Sequence, residues 1–221
     1  MEYLDLTPYE YLSSALPATS IGWLGPEHGV QGGTADPLTA AEVTMLRAAS
    51  PRVGRVTMGW HACEFCENAE GNGEYRYYLP DGRIFAAPTL FLHYVERHCY
   101  RPPAQLLDAL ADPAPLRWDW RAERLCLVLL DENADIAVRA DAAVGLACWD
   151  DRRAYAALWN SLRGDEDLLD CTGDEIGRSL AAFSGRAYAK DLTAVTLHSM
   201  VQYGIEKAAQ DDLQIFLRTF T

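Results

Sequence analysis

Residues 61–98 read HACEFCENAEGNGEYRYYLPDGRIFAAPTLFLHYVERH, and this segment decides how the first half of the chain folds. Cys63 and Cys66 have the Cys-x-x-Cys spacing, which directs both side chains toward the same concave region of a turn. His93 and His98 follow close together near its end. Two thiolates and two imidazoles are a usual ligand set of a tetrahedral structural zinc site. The segment therefore predicts that Cys63, Cys66, His93 and His98 hold a structural Zn²⁺.

The sequence between the cysteines and the histidines predicts a hairpin followed by a helix. In YRYYLPDGRIFAAP, residues 75–88, aromatic and apolar residues alternate with others on both sides of an Asp-Gly turn. A helix that begins at Pro88-Thr89 would carry both histidines. Their spacing turns about 500° around a helix, so we expect the helix to end near His98, before the prolines at 102 and 103. This order is typical of a ββα zinc-finger-like module.

Residues 67–92 separate the two ligand pairs, about twice the roughly 12 residues found in a DNA-reading finger. We therefore expect the cysteine turn to precede a complete hairpin rather than to form its turn. His61 and Cys99 lie beside the predicted ligands, and either could replace one of them.

The predicted site favours a structural ion over a catalytic one. Four protein ligands leave no coordination position for the water that a zinc enzyme activates. The sequence HACEFC also lacks the His-x-Glu arm and the proline before the cysteines that zinc deaminases use. Glu64 and Glu67 flank the cysteines. Together with His61, they are the nearby residues that would favour a catalytic site.

The first 58 residues are rich in turn-forming residues and predict an irregular leader. Within this leader SIGWL, residues 20–24, is a candidate short strand. TAAEVTMLRAA, residues 39–49, predicts a helix that is capped by Thr39 or Asp36.

From Ala104 onward the sequence predicts one helix after another and no strand, because apolar residues recur at three-four spacing. Residues 131–162 resemble a HEAT repeat, and the resemblance extends over about residues 116–185. We therefore predict an α+β chain with two parts. Residues 1–103 form a zinc-binding module with an irregular leader, and residues 104–221 form an α-helical, HEAT-like repeat domain.

An internal similarity supports the repeat interpretation. DIAVRADAAVGL, residues 135–146, resembles GDEIGRSLAAF, residues 173–183. In this alignment Asp135 and Asp174 would each cap a helix, and paired alanines would allow close helix packing.

The composition narrows the classes of function. The chain has 221 residues, with 32 acids against 19 lysines and arginines and a net charge of −13. Neither half offers the basic footprint that nucleic-acid binding needs. The longest apolar run, LCLVLL at 125–130, is too short to span a bilayer, and MEYLDLTPYEYL lacks the features of a signal peptide. We therefore expect a cytoplasmic protein with no membrane partner, whose six cysteines are reduced.

Several motifs of the first half resemble those of a family of small bacterial proteins that is widespread in actinobacteria. The matching segments are YLDLTPYEY, IGWLGPEH, GWHACEFC and APTLFLHYVERHCYRPP, and they cover about residues 3–107. The resemblance implies a Cys/His metal module and assigns no activity. Proteins that combine such a module with HEAT-like helices are similar to immunity or interaction components encoded near bacterial toxins.

These observations predict a non-enzymatic protein-interaction protein with a structural zinc site. Its acidic surface would bind another protein with a basic surface, and a bacterial toxin-immunity protein is one form that this function could take. The finger-like order of the ligands leaves a zinc-finger nucleic-acid-binding regulator as the alternative. A zinc-dependent hydrolase is the second alternative.

Overall fold

The computed structural model describes residues 2–32, 36–50, 52–57, 59–163, 165–210 and 216–220. The chain divides into two compact units. The first unit takes in the described parts of 1–10, 17–114 and 211–221, and the second takes in 11–16 and the described parts of 115–210. In sequence, the second unit is therefore inserted within the first.

The described part of the first unit has two three-stranded sheets and three α-helices. Its elements in chain order are β1 (Thr19–Ser20), α1 (Ala40–Ala49), β2 (His61–Ala62), β3 (Ala69–Gly71), β4 (Glu74–Tyr78), β5 (Ile84–Pro88), α2 (Phe91–Arg97), α3 (Ala104–Ala111) and β6 (Leu217–Thr219). In one sheet β5 lies between β1, which is parallel to it, and the antiparallel β4. In the other sheet β3 lies between β2 and β6, and both pairings are antiparallel.

The predicted hairpin is confirmed as β4 and β5. Tyr78 lies opposite Ile84, and the turn between them contains the Asp-Gly pair. The ring of Tyr77 packs 6.0 Å from the ring of Phe91 at the start of α2. The hairpin therefore forms the surface on which the histidine-bearing helix rests.

The leader contains the short strand and the helix cap that its sequence predicts. β1 includes Ser20, and the N–H of the next residue, Ile21, donates to the carbonyl of Ala86 in β5 at 3.0 Å. Thr39 caps α1 through a reciprocal capping box with Glu42. Thr39, rather than Asp36, is therefore the capping residue.

A buried ion pair in β4 connects the leader to the sheet formed by β1, β5 and β4. Glu74 is fully buried, and its carboxylate pairs with the Arg76 guanidinium at 2.8 Å. The hydroxyl of Tyr9 donates to the same carboxylate at 2.5 Å, and the guanidinium lies 4.3 Å from the centre of the Tyr9 ring. Burial of an ion pair is tolerated where further hydrogen bonds complete it.

The second unit is helical. Its elements are α4 (Trp120–Leu130), α5 (Ile136–Leu146), α6 (Arg152–Asn160), α7 (Glu166–Ala181), a 3₁₀ turn (Leu192–Ala194) and α8 (Ser199–Lys207). Aspartates cap the first four of these helices, and a histidine caps the last. α7 and α8 approach closely, because a Cβ atom on Gly204 would clash with the carbonyl oxygen of Asp174. No helix in the part of the chain that the structure describes has the length and apolar character to span a bilayer.

Two predictions for the second half are wrong. The absence of strands after Ala104 is contradicted by β6, which pairs with β3 of the first unit. The internal similarity does not reflect equivalent positions, since Asp135 caps α5 whereas Asp174 lies inside α7, which begins at Glu166.

The division between the units follows packing rather than composition. It falls after Ala114, and not after residue 103, because α3 packs against α1. Residues 11–16 of the leader belong to the helical unit. There the backbone N–H of Ala15 donates to the carboxylate of Asp141 at 3.0 Å.

Candidate metal centre

The Cys-x-x-Cys segment forms the turn of a short hairpin made by β2 and β3. The backbone N–H of Cys63 donates to the carbonyl of Ala69 at 2.9 Å and closes the turn. The backbone N–H groups of Phe65 and Cys66 point back at the Cys63 sulfur and donate to it. The turn therefore wraps its backbone around the first sulfur and directs both thiols to one side.

Helix α2 brings the two imidazoles together by ending between them. His93 lies in the first turn of α2, whereas His98 is the residue that caps its C-terminus and donates its backbone N–H to the Tyr94 carbonyl at 3.0 Å. Cys99 follows with a left-handed φ of 56°, which terminates the helix. The expectation that the helix ends near His98 is confirmed, although the helix begins at Phe91 and not at Pro88, which ends β5.

A glycine lets the cysteine hairpin approach the start of this helix. A Cβ atom on Gly71 would lie 2.5 Å from Thr89 Oγ1 and 3.0 Å from Leu90 Cγ. Since real Cβ atoms do not come that close, only glycine allows β3 to lie against the segment that leads into α2. This close approach places the cysteine hairpin beside the start of the histidine-bearing helix.

The four predicted ligands converge on one point. One donor atom from each of Cys63, Cys66, His93 and His98 lies within 4.8 Å of the other three. Sγ of Cys63 is 3.3 Å from Nε2 of His98, and Sγ of Cys66 is 3.4 Å from Nε2 of His93. The two Nε2 atoms are 3.2 Å apart.

These distances fit the edges of a tetrahedral zinc site. With Zn–S bonds of about 2.3 Å and Zn–N bonds of about 2.0–2.1 Å, an S···N edge is about 3.6 Å and an N···N edge is about 3.3 Å. A hydrogen-bond network explains the arrangement less well. Each Nε2 atom offers one proton or one lone pair, yet each contacts both a sulfur and the other Nε2.

The protonation states suit a metal ion. Burial lowers the pKa of His93 to about 4, and the neighbouring His98 and Arg97 contribute to the lowering. Burial also lowers the pKa of His98, so both imidazoles are neutral at pH 7, the form that binds metals. Burial raises the pKa of the Cys63 thiol, although the two backbone N–H groups at its sulfur oppose the effect. A bound cation would reverse this shift, since a coordinating thiol is deprotonated.

Two aromatic rings pack against the histidines of the site. The ring of Phe65, inside the cysteine turn, lies 5.4 Å from the ring of His98 and 5.8 Å from that of Tyr94. The Tyr94 ring in turn lies 6.0 Å from that of His93. Two of the four ligands, Cys63 and His93, are buried, and the other two are half-buried. Aromatic rings therefore cover part of the site, and the rest lies near the surface.

The neighbouring residues that could have replaced a ligand do not join the group. Among the described residues, the group of four includes neither His61, which is exposed on β2, nor Cys99. Both glutamates that flank the cysteines, Glu64 and Glu67, are exposed.

A second cluster of possible ligands consists of Glu2, Glu27 and His28, and it is mostly exposed. The Glu2 carboxylate already has partners within the chain, because it accepts hydrogen bonds from the backbone N–H groups of Glu27 and His28. This cluster is therefore explained by its own hydrogen bonds.

Sequence reasoning missed the hairpin that holds the cysteines and the third strand of its sheet. The cysteine turn precedes the β4–β5 hairpin as expected, but it also forms the turn of its own hairpin. The segment FLRTF, residues 216–220, carries the aromatic and β-branched residues typical of a strand, and this signal could have identified β6.

The fold and the site define an α+β protein with a Cys/His cluster that could bind a metal ion. The chain belongs to the family described as a domain of unknown function, DUF7919, which matches residues 1–111. All four members of the cluster lie within this match, whereas β6 and the helices of the second unit lie outside it. No curated protein and no solved structure matches the chain.

Proposed function

We propose that this chain is a non-enzymatic protein-binding protein in which a structural Zn²⁺ stabilises the first unit. The metal part of the proposal rests on the convergence of two thiols and two imidazoles, with three of the distances between their ligand atoms at 3.2–3.4 Å. A donor set of two sulfurs and two nitrogens in this geometry favours zinc among the common divalent ions. The hairpin β4–β5 followed by α2 gives the module its ββα, zinc-finger-like character.

A structural role follows from the number of ligands. With four protein side chains bound, Zn²⁺ has no open position at which water could be activated or a substrate carbonyl polarised. Glu64 is exposed beside the turn, and contact with solvent is sufficient to explain a charged side chain there. The zinc would instead join the cysteine hairpin to α2 and so contribute to the stability of the folded unit.

The protein-binding part of the proposal rests on charge and on the helical unit. The chain carries 32 acids against 19 lysines and arginines, which favours a basic partner. Helices α4 to α7 are consecutive and pack on one another, the arrangement from which HEAT-like solenoids build binding surfaces. An immunity protein that covers the basic surface of a bacterial toxin is one form of this function.

Cobalt substitution tests the closed metal site. Co²⁺ in a tetrahedral site with two thiolates and two imidazoles gives intense visible d–d and thiolate charge-transfer bands. We expect these bands to stay unchanged when azide or a hydroxamate is added, because no position is open to them. A spectral change on addition of either compound would show an open coordination position and would support the zinc hydrolase instead.

Affinity capture from the source organism tests the binding part. We expect a basic protein that stays bound at physiological salt and elutes as the salt concentration is raised. Capture of DNA or RNA at low salt, with no protein partner, would support the nucleic-acid-binding alternative. Recovery of neither would contradict the proposed function.

A further inference from the structure

Helix α4 exposes three large apolar side chains that are not buried in the core of its unit. Trp120 is 61% exposed, Leu127 is 67% exposed and Leu130 is 43% exposed. Trp120 and Leu127 are seven residues apart, about two helical turns, so they lie on one face, and Leu130 lies beside them. The opposite face of α4 supplies its buried leucines and valine to the core. We call the outward-facing residues Trp120, Leu127 and Leu130 the α4 ridge.

A groove runs beside this ridge, between α4 and α5. Its volume is ≈ 370 Å³, and its apolar lining comes from Leu127, Val128, Ala134 and Val138. Leu127 belongs to both the ridge and the groove lining, so the apolar surface of the groove continues onto the ridge at this residue. Such surfaces in soluble proteins mark interaction sites more often than single exposed leucines do.

The border of this surface is acidic. Exposed Glu123 lies on α4 beside the ridge, and exposed Asp131 and Glu132 lie where α4 ends. Arg124 is the one cation among the described residues that line the groove. An apolar surface with an acidic border is complementary to a basic segment that presents apolar side chains on one side.

We propose that the α4 ridge and the α4–α5 groove are the docking site for a basic amphipathic helix of a partner protein. This inference rests on the proposed protein-binding function and assigns its location. Apolar residues of the bound helix at i, i+3 or i+4 and i+7 would contact the ridge over the span from Trp120 to Leu127, about 10 Å. Its lysines and arginines would face Glu123, Asp131 and Glu132.

A second copy of this chain is a poorer occupant. A symmetric contact would place the same surface of two chains face to face, and each chain has a net charge of −13. The acidic borders of the two copies would then lie against each other. The charge therefore favours a different, basic partner.

Selection from a random peptide library tests the docking site even before a natural partner is identified. The probe is a phage-displayed library of peptides about 16 residues long, enough for about four helical turns. It is selected on the full-length chain, and the enriched peptides are then measured on two variants. Leu127→Glu places a charge in the ridge, and Tyr203→Glu makes the same kind of change on α8, where Tyr203 is 49% exposed.

We expect the enriched peptides to carry net positive charge and apolar residues at helical spacing. Their affinity should fall by at least about tenfold on Leu127→Glu and by less than about twofold on Tyr203→Glu. Basic peptides that bind both variants as well as the wild type would overturn the site and leave the protein-binding function standing. Enrichment of acidic peptides or of none, or dimerisation of the free chain that Leu127→Glu abolishes, would overturn the docking proposal.

Discussion

The Sγ atom of Cys63 lies 3.3 Å from the Nε2 atom of His98, although the two residues are 35 positions apart in the chain. One belongs to the turn after β2, and the other caps the C-terminus of α2. Their contact joins the cysteine hairpin to α2. If this contact is one edge of a zinc tetrahedron, the stability of the hairpin depends on the metal.

Loss of the buried cation beside Glu74 should destabilise the first unit strongly. Arg76→Met leaves the fully buried Glu74 carboxylate without the guanidinium that lies 2.8 Å away, and we expect the free energy of unfolding to fall by about 3–5 kcal/mol. The control is Arg83→Met on the same hairpin, because Arg83 pairs with Asp81 at the surface and its loss should cost about 0–1 kcal/mol. Urea unfolding measures both. Equal losses in the two variants would contradict the assigned role of the Arg76–Glu74 pair.

The C-terminal strand should support the metal site at a distance. Leu217 lies opposite Gly71, and it packs against the core of the first unit. Leu217→Asp should therefore loosen β3, which leads out of the cysteine turn. We expect zinc affinity to fall by about 10–100-fold, as for other changes that displace the supports of a metal ligand.

Chelator competition measures this affinity, and Thr219→Asp provides the control. Thr219 lies in the same strand with an exposed side chain, so the same new charge there should leave the affinity within about twofold. If both variants bind zinc as the wild type does, β6 does not support the site.

The helical unit should lose stability as the pH rises. Burial, together with the neighbouring Asp174 carboxylate, raises the pKa of Glu175 to about 8. Below about pH 4.5 this residue is protonated in the folded and in the unfolded chain and costs no stability. Between about pH 4.5 and 8 only the unfolded chain releases the proton, so the free energy of unfolding falls, and above about pH 8 the penalty is complete.

Glu175→Gln should remove this part of the pH dependence. Thermal unfolding followed by circular dichroism at about pH 5 and pH 8.5 should give a smaller difference in Tm for this variant than for the wild type. Glu166→Gln, which changes an exposed residue on the same helix, should keep the wild-type difference. A wild-type difference that Glu175→Gln leaves intact would show that other groups cause it.

The sequence predicted the parts of the site that depend on local pattern. The ligand spacing, the Asp-Gly turn of the β4–β5 hairpin and the end of α2 near His98 follow from rules that act over a few residues. The caps at Thr39 and Asp135 and most helices of the second half follow from similar rules.

The missing parts depend on contacts between distant residues. β2 and β3 have two and three residues, too few for a periodic pattern, and they are strands because they pair with each other and with β6. β6 joins residues 217–219 to residues 69–71, and the sequence near Leu217 does not indicate that partner. Residues 11–16 belong to the helical unit for a similar reason, the bond from Ala15 to Asp141.

The metal content of two cysteine variants tests the central claim most directly. Cys66→Ser removes a predicted ligand, whereas Cys99→Ser makes the same change beside His98 in a residue outside the group of four. Elemental analysis of the purified full-length proteins should find about one zinc ion per chain in the wild type and in Cys99→Ser, and almost none in Cys66→Ser. A wild-type chain without zinc, or equal zinc in both variants, would contradict the proposed structural zinc site.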